Sequence, residues 1–133
     1  MIRLELKLNK LKANARKALV AYLVAGDPDL ESTLELMHGF VSAGVDVIEV
    51  GVPFTDPIAE GPIIQSAHDR SLQKKITLKK IILLVEEFRK KDSNTPIILM
   101  GYLNTFLAYA EELNNIHNRG VDALLIVDIP GEI

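Results

Sequence analysis

Apolar residues along the chain alternate between short unbroken runs and stripes of helical spacing. Four runs read as strands: Ala18 to Val24, Val45 to Val50, Pro96 to Met100 and Val121 to Val127. They are apolar almost throughout, as strands are when both faces of a parallel sheet are covered. Between them lie amphipathic stretches. Leu30, Leu34, Met37 and Val41 fall on one face of a predicted helix that begins near Asp29 or Leu30. Gly44 then stands where a C-terminal cap glycine belongs. A long loop runs from Gly51 to about Pro62, and a helical stretch in two pieces follows it. Thr77 is the expected N-cap of its main piece, with Leu78, Ile81, Ile82, Val85 and Phe88 as the buried stripe. A third helix carries Tyr109, Leu113 and Ile116 and ends at Gly120.

The first 17 residues carry six Lys or Arg against Glu5 alone, too much charge for a signal peptide. Leu4, Leu8 and Leu11 share a helical face, although Ile2, Leu4, Leu6 and Leu8 also alternate like a strand. A short basic helix covering one end of the core is the preferred reading. A transit peptide fits less well, because it would be Ser-rich and lack Glu5.

Four strands alternating with three helices make consecutive βαβ units around a parallel sheet. Two architectures satisfy this: an open doubly wound sheet, or a piece of a (β/α)₈ barrel. The first would normally show G-x-G-x-x-G after its first strand. Here Gly26 stands alone before Asp27-Pro28. No low-complexity linker divides the 133 residues, so a single domain, 1–133, is expected.

Composition narrows the function classes. The chain is 48% hydrophobic and 25% charged, enough to bury a core and stay soluble. A net charge of −3 argues against non-specific nucleic-acid or anionic-membrane binding. There are no cysteines, which removes disulfides, thiolate chemistry and Cys-type zinc sites. No apolar run approaches the ~18 residues of a membrane span. A cytoplasmic location is expected.

Glu49 is the most informative residue. It lies near the exit end of the second strand, on the face of Val45 and Val47, with Asp46, Ile48 and Val50 opposite. Asp46, at the start of the strand, is expected to reach solvent. A carboxylate in an apolar setting has a raised pKa and can serve as general acid or base near neutral pH. The alternative is a glutamate ion-paired in the interior, but no Lys or Arg lies on a neighbouring strand to pair with it.

The loop Pro53 to Pro62 is the second signal. It holds three prolines within a few residues of Asp56 and Glu60, and it is long for a βα connection. A stiff loop can aim Glu60 into the cleft as a second carboxylate, and the other reading is a proline-rich surface loop with solvated acids. Tyr102 and Asn104 follow the third strand at the same end. His38, His68 and His117 show no metal-ligand spacing and are read as structural or solvated. Arg89-Lys90-Lys91 reads as a solvated helix end.

Ala25-Gly26-Asp27-Pro28, then Glu49-Val50-Gly51-Val52-Pro53-Phe54-Thr55-Asp56-Pro57, then Ala59-Glu60-Gly61-Pro62 with Gln65, resemble the tryptophan synthase α subunit family. The likeness runs from the basic lead helix to Asp128-Ile129-Pro130, and corresponds to the family's N-terminal half. It implies a (β/α)₈ barrel, here its first four strands and about three helices. A whole barrel of this kind takes ~250 residues, and its phosphate site is usually built after strands 7 and 8.

The implied reaction is cofactor-free retro-aldol cleavage of indole-3-glycerol phosphate to indole and glyceraldehyde 3-phosphate. Glu49 would be the acid–base residue. Glu60 stands where the family often has aspartate, one methylene shorter, to polarise the indole N–H. Tyr22, where phenylalanine is common, and Tyr102 would line the substrate pocket. Asp56, Pro57 and Pro130 resemble the surface that meets the β subunit in an α2β2 tetramer, and PLP belongs to that partner. Without strands 5 to 8, the 133 residues alone are expected to be inactive. The non-enzymatic alternative is a half-barrel remnant that self-associates through its exposed edges.

Overall fold

The computed structural model describes residues 2–131. Helix α1, Ile2–Ala13, precedes strand β1, Val20–Val24. Helix α2, Leu30–Ser42, leads to β2, Val47–Gly51. Two helices follow, α3 (Pro62–Gln73) and α4 (Leu78–Arg89), then β3, Ile97–Gly101. Short helices α5 (Leu103–Ala108) and α6 (Ala110–Leu113) and a 3₁₀ turn, Ile116–Arg119, lead to β4, Ala123–Ile126. The strands form one sheet in the order β1-β2-β3-β4, parallel throughout.

Local chemistry explains the elements. Asp29 caps α2 by accepting from the Ser32 N–H at 2.7 Å. Gly44 follows the helix in the left-handed region, φ +101°, as a C-terminal cap glycine does. Thr77 caps α4 through the Lys80 N–H. All five residues of the expected α4 stripe are buried. With Ile48 and Val50 of β2, Ile97 and Leu99 of β3, and Met37 of α2, they form the core between sheet and helices.

The opposite face of the sheet is only half covered. The register sets Tyr22 beside Glu49 and Glu49 beside Ile98, with Met100 and Leu125 one step along on the same side. This is the face that carries Glu49. Among the described residues, β1 and β4 each have one unpaired edge.

Four expectations need correction. The third helix is broken into α5, α6 and the 3₁₀ turn, because Asn115 turns left-handed and Tyr109 leaves the helical region. Asp46 is buried and does not reach solvent. It accepts from the Leu19 N–H at 2.9 Å and lies 3.7 Å from Arg16. The regular strands β1 and β2 therefore begin two residues late, since a side-chain carboxylate takes the place of a ladder carbonyl. Asp122 repeats the device, accepting from the Ile97 N–H at 2.8 Å beside β4. Both aspartates stand in the same triplet, Gly44-Val45-Asp46 and Gly120-Val121-Asp122.

The fourth correction is Arg89, which is a half-buried tether and not a solvated helix end. Its guanidinium donates to the carbonyls of Gly120, Asp92 and Thr95 and to Asp122 at 3.1 Å. Arg3 of α1 reaches the same aspartate at 2.8 Å and the Ser93 carbonyl. Burial, and then the nearby Arg3 charge, draw the Arg89 pKa down to about 10, so it stays charged at neutral pH. Lys90 remains exposed and pairs with Glu87. Among the described residues no helix is long and apolar enough to cross a membrane.

Replacing Arg89 by Met removes the donor to the Asp92 and Thr95 carbonyls and leaves Asp122 with Arg3 as its remaining cation, beside the Ile97 N–H. Unfolding in urea should show a loss of about 3 kcal/mol. Arg89→Lys should recover less than half of it, because one ammonium cannot reach all four acceptor groups. A loss within experimental error for Arg89→Met would remove the tether.

Candidate active site

Glu49 occupies the third of the five positions of β2, at mid-strand and not at the exit end expected from the sequence, on the half-covered face. Its carboxyl is pushed above the ordinary value, first by desolvation and second by the charge of Glu60. Among the described residues no cation or hydrogen-bond donor offsets these effects. The interior ion-pair reading is therefore set aside.

Glu60 is handled differently. Only 7% of its side chain is exposed, and it lies at the end of the loop between β2 and α3. The Tyr22 hydroxyl donates to Oε1 at 2.6 Å, and the Tyr102 hydroxyl donates to Oε2 at 3.1 Å. His68 Nε2 lies 2.9 Å from the same Oε2. Desolvation raises the pKa of both phenols, and contact with Glu60 adds to this, so both keep their protons and act as donors. Proximity to Glu60 is thus a cost for Glu49 and is balanced by donors for Glu60 itself.

The loop that delivers Glu60 is held at several points. The Val52 N–H donates to the Met100 carbonyl at 2.8 Å. The Phe54 N–H donates to His68 Nδ1 at 2.9 Å, and the Phe54 ring stacks on Tyr102 at 4.9 Å. The Ala59 N–H donates to the Tyr102 hydroxyl, and the Gln65 side-chain amide donates to the Glu60 carbonyl. A free proline-rich surface loop would lack these ties.

Gly51 closes the arrangement from below. A Cβ there would stand 2.2 Å from the Tyr22 hydroxyl oxygen, so glycine leaves room for that oxygen to reach Glu60.

The remaining candidates are distributed as follows. Tyr22 is half-buried and Tyr102 fully buried, and both hydroxyls are turned to Glu60. Asp56 and Pro130 are exposed on the surface, whereas Pro57 is buried. Asn104 is exposed and outside the Glu60 cluster. His38 stacks on Phe88 at 4.6 Å, a structural role, and His117 is exposed. His68 belongs to the site, which its helical, polar sequence neighbourhood did not suggest. A histidine eight residues after Glu60, past a Gly-Pro helix start, was the available signal. Among the described residues no three His, Asp or Glu side chains converge in a way that could hold a metal ion.

Parallel strands with helices on one side, and on the other two carboxylates, one within β2 and one in the loop that leaves its C-terminal end, define half of a (β/α)₈ barrel. The family model described as tryptophan synthase alpha chain matches residues 8–133. The chain is 48% identical over 134 aligned positions to the tryptophan synthase alpha chain of Marinobacter nauticus, covering 99% of this chain and 50% of that one. The crystal structure of tryptophan synthase subunit alpha from Legionella pneumophila superposes with a TM-score of 0.94 at 46% identity, over 98% of this chain and 50% of that one. A tryptophan synthase complex from Pyrococcus furiosus gives 0.77 at 41% identity, over 85% and 47%. The chain belongs to the tryptophan synthase alpha chain family. It spans about half the length of the curated relatives it matches.

Two expectations follow from the geometry. A carboxyl whose pKa is raised by folding favours the fold in its protonated form. The Glu49 contribution is fully present below the ordinary value of 4.5 and is lost as pH rises through the higher folded value. Glu49→Gln cannot ionise, so it should melt above the wild type at about pH 8, and the gap should close below about pH 4. A gap that widens on acidification would contradict the assignment. Separately, Gly51→Ala should cost roughly 1–3 kcal/mol by forcing the Tyr22 ring aside. That cost should shrink in a Tyr22→Phe background, as a double-mutant cycle in denaturant would measure.

Proposed function

We propose that these residues supply the acid–base centre of an enzyme that cleaves indole-3-glycerol phosphate to indole and glyceraldehyde 3-phosphate, a lyase step of tryptophan biosynthesis. The observation that carries the reading is the pair of carboxylates with opposite environments, Glu49 unpartnered and Glu60 caged, in a chain of this family. Carboxylates set apart in this way divide base and partner roles.

In the proposed step, Glu49 takes the proton of the glycerol hydroxyl next to the scissile bond. The bond between that carbon and indole C3 breaks, and its electron pair stays with the indole ring. The carbon becomes the aldehyde of glyceraldehyde 3-phosphate. Glu49, now protonated, assists return of a proton to C3. A raised pKa suits both halves of this cycle, because the group must accept and release a proton near neutral pH. Glu60 cannot share that work easily, since donors engage both its oxygens. It accepts from the indole N–H, which pushes electron density into the ring and favours protonation at C3.

The proposed setting is a full-length α chain, whose second half would add the remaining strands and the phosphate grip. Its proposed partner is the β subunit in an α2β2 assembly, met by the surface around Asp56, Pro57 and Pro130. The β subunit would hold the PLP that consumes indole, and this chain would need no cofactor of its own.

In a full-length α chain carrying this segment, Glu49→Gln should lower kcat for indole release by about 10²–10⁴ while circular dichroism stays native. Near-normal turnover in that variant would remove Glu49 from the mechanism.

A further inference from the structure

His68 is a polar group of the site with no part in the proposed reaction, and its geometry is specific. It lies on α3, is 1% exposed, and touches two other parts of the site. Nδ1 accepts from the Phe54 N–H at 2.9 Å, so Nδ1 carries no proton. The proton of the neutral ring must then sit on Nε2. That nitrogen is buried, lies 2.9 Å from Glu60 Oε2 but bent away from good hydrogen-bond alignment, and among the described residues has no other partner. Leaving a buried donor unmatched costs about 1–3 kcal/mol, so Nε2 has a standing reason to hold the carboxylate near it.

We propose that His68 is a positioning residue for Glu60, fixing its carboxylate through Nε2–H and tying it to the backbone of the loop at Phe54. The catalytic part of this proposal rests on the cleavage reaction proposed above. The tautomer and contact do not.

Lone-pair arithmetic shows what the contact does. An ionised carboxylate offers about four acceptor positions. The Tyr22 hydroxyl takes one on Oε1, while the Tyr102 hydroxyl and His68 share Oε2. The open position is therefore on Oε1, and Oε2 is held. Without His68, the Tyr22 and Tyr102 hydroxyls alone would fix the group, one reaching it from β1 and the other from just after β3. His68 adds a second tie to the loop that carries Glu60, at Phe54, beside the one the Tyr102 hydroxyl makes at Ala59. The side chain is one methylene longer than aspartate and has one more torsion to restrain, so that tie matters more here.

Two substitutions separate this role from simple core filling. Asn at position 68 can keep an acceptor near the Nδ1 position for the Phe54 N–H but loses the donor at Nε2. Gln reaches the Nε2 position with an N–H donor but loses the acceptor. In a full-length α chain carrying this segment, His68→Asn should lower kcat for indole release about tenfold with KM changed less, and His68→Gln should stay within about twofold of the wild type. The opposite order, or equal losses, would overturn the proposal and assign His68 to the Phe54 loop alone.

A second measurement needs neither a variant nor activity. In the ¹⁵N-histidine-labelled 133-residue chain, His68 should show a protonated Nε2 and an unprotonated Nδ1 at neutral pH, with the Nε2 proton slow to exchange. An Nδ1–H tautomer, or the averaged signal of a free imidazole, would overturn the proposal. If the wild-type full-length chain releases no indole, the cleavage reading fails, and the tautomer alone decides the contact with Glu60.

Discussion

Parallel pairing places Tyr22 of β1 beside Glu49 of β2 and Glu49 beside Ile98 of β3. Side chains alternate faces along each strand, so a slip of one residue in β2 would turn Glu49 into the helix-packed layer and Ile48 out of it. The register is held partly by the apolar core and partly by two carboxylates at the opposite end of the sheet. Asp46 grips the Leu19 N–H, and Asp122 grips the Ile97 N–H. These bonds fix how far each strand is advanced against its neighbour. The arrangement at the reactive rim therefore depends on polar contacts a full strand length away.

At the rim, two glutamates meet the cost of burial in different ways. Glu60 accepts from two phenol hydroxyls, with the His68 ring 2.9 Å away, and is held in one direction. Glu49 lacks such donors, and desolvation raises its pKa. The difference arises from position. Glu60 is on a loop that can fold back between Tyr22, Tyr102 and His68. Glu49 is on a strand, where backbone geometry dictates what surrounds it.

Much of this was legible in the residues. The four strands, the α4 stripe, the start of α2 near Asp29, the cap at Thr77 and the cap glycine at 44 follow from periodicity and local propensity. The parity argument also put Glu49 on the correct face of β2. What was not legible depends on contacts between distant residues. Asp46 looked solvated because its partner, the Leu19 N–H, lies 27 residues earlier. Arg89 looked like a helix end because two of its acceptors, Gly120 and Asp122, lie beyond β3, 31 and 33 residues later. His68 joins the site across a loop, where no helical or strand period applies. The repeated Gly-Val-Asp triplet was the available sign that Asp46 and Asp122 do the same work.

The cluster of Arg3, Arg89 and Asp122 also bears on the order of assembly. The Arg3–Asp122 contact joins positions 119 residues apart, while β1–β2 pairing joins positions about 27 apart, as from Val20 to Val47. Closing a long loop is entropically worthwhile only once shorter ones have formed. Helix α1 is thus expected to dock onto a sheet that already exists, as a late latch. Loss of the latch should then register mainly in the rate at which the folded chain opens, with little effect on the rate at which the sheet first forms. On this reasoning the basic lead helix bears on how long the fold lasts more than on how fast it arises.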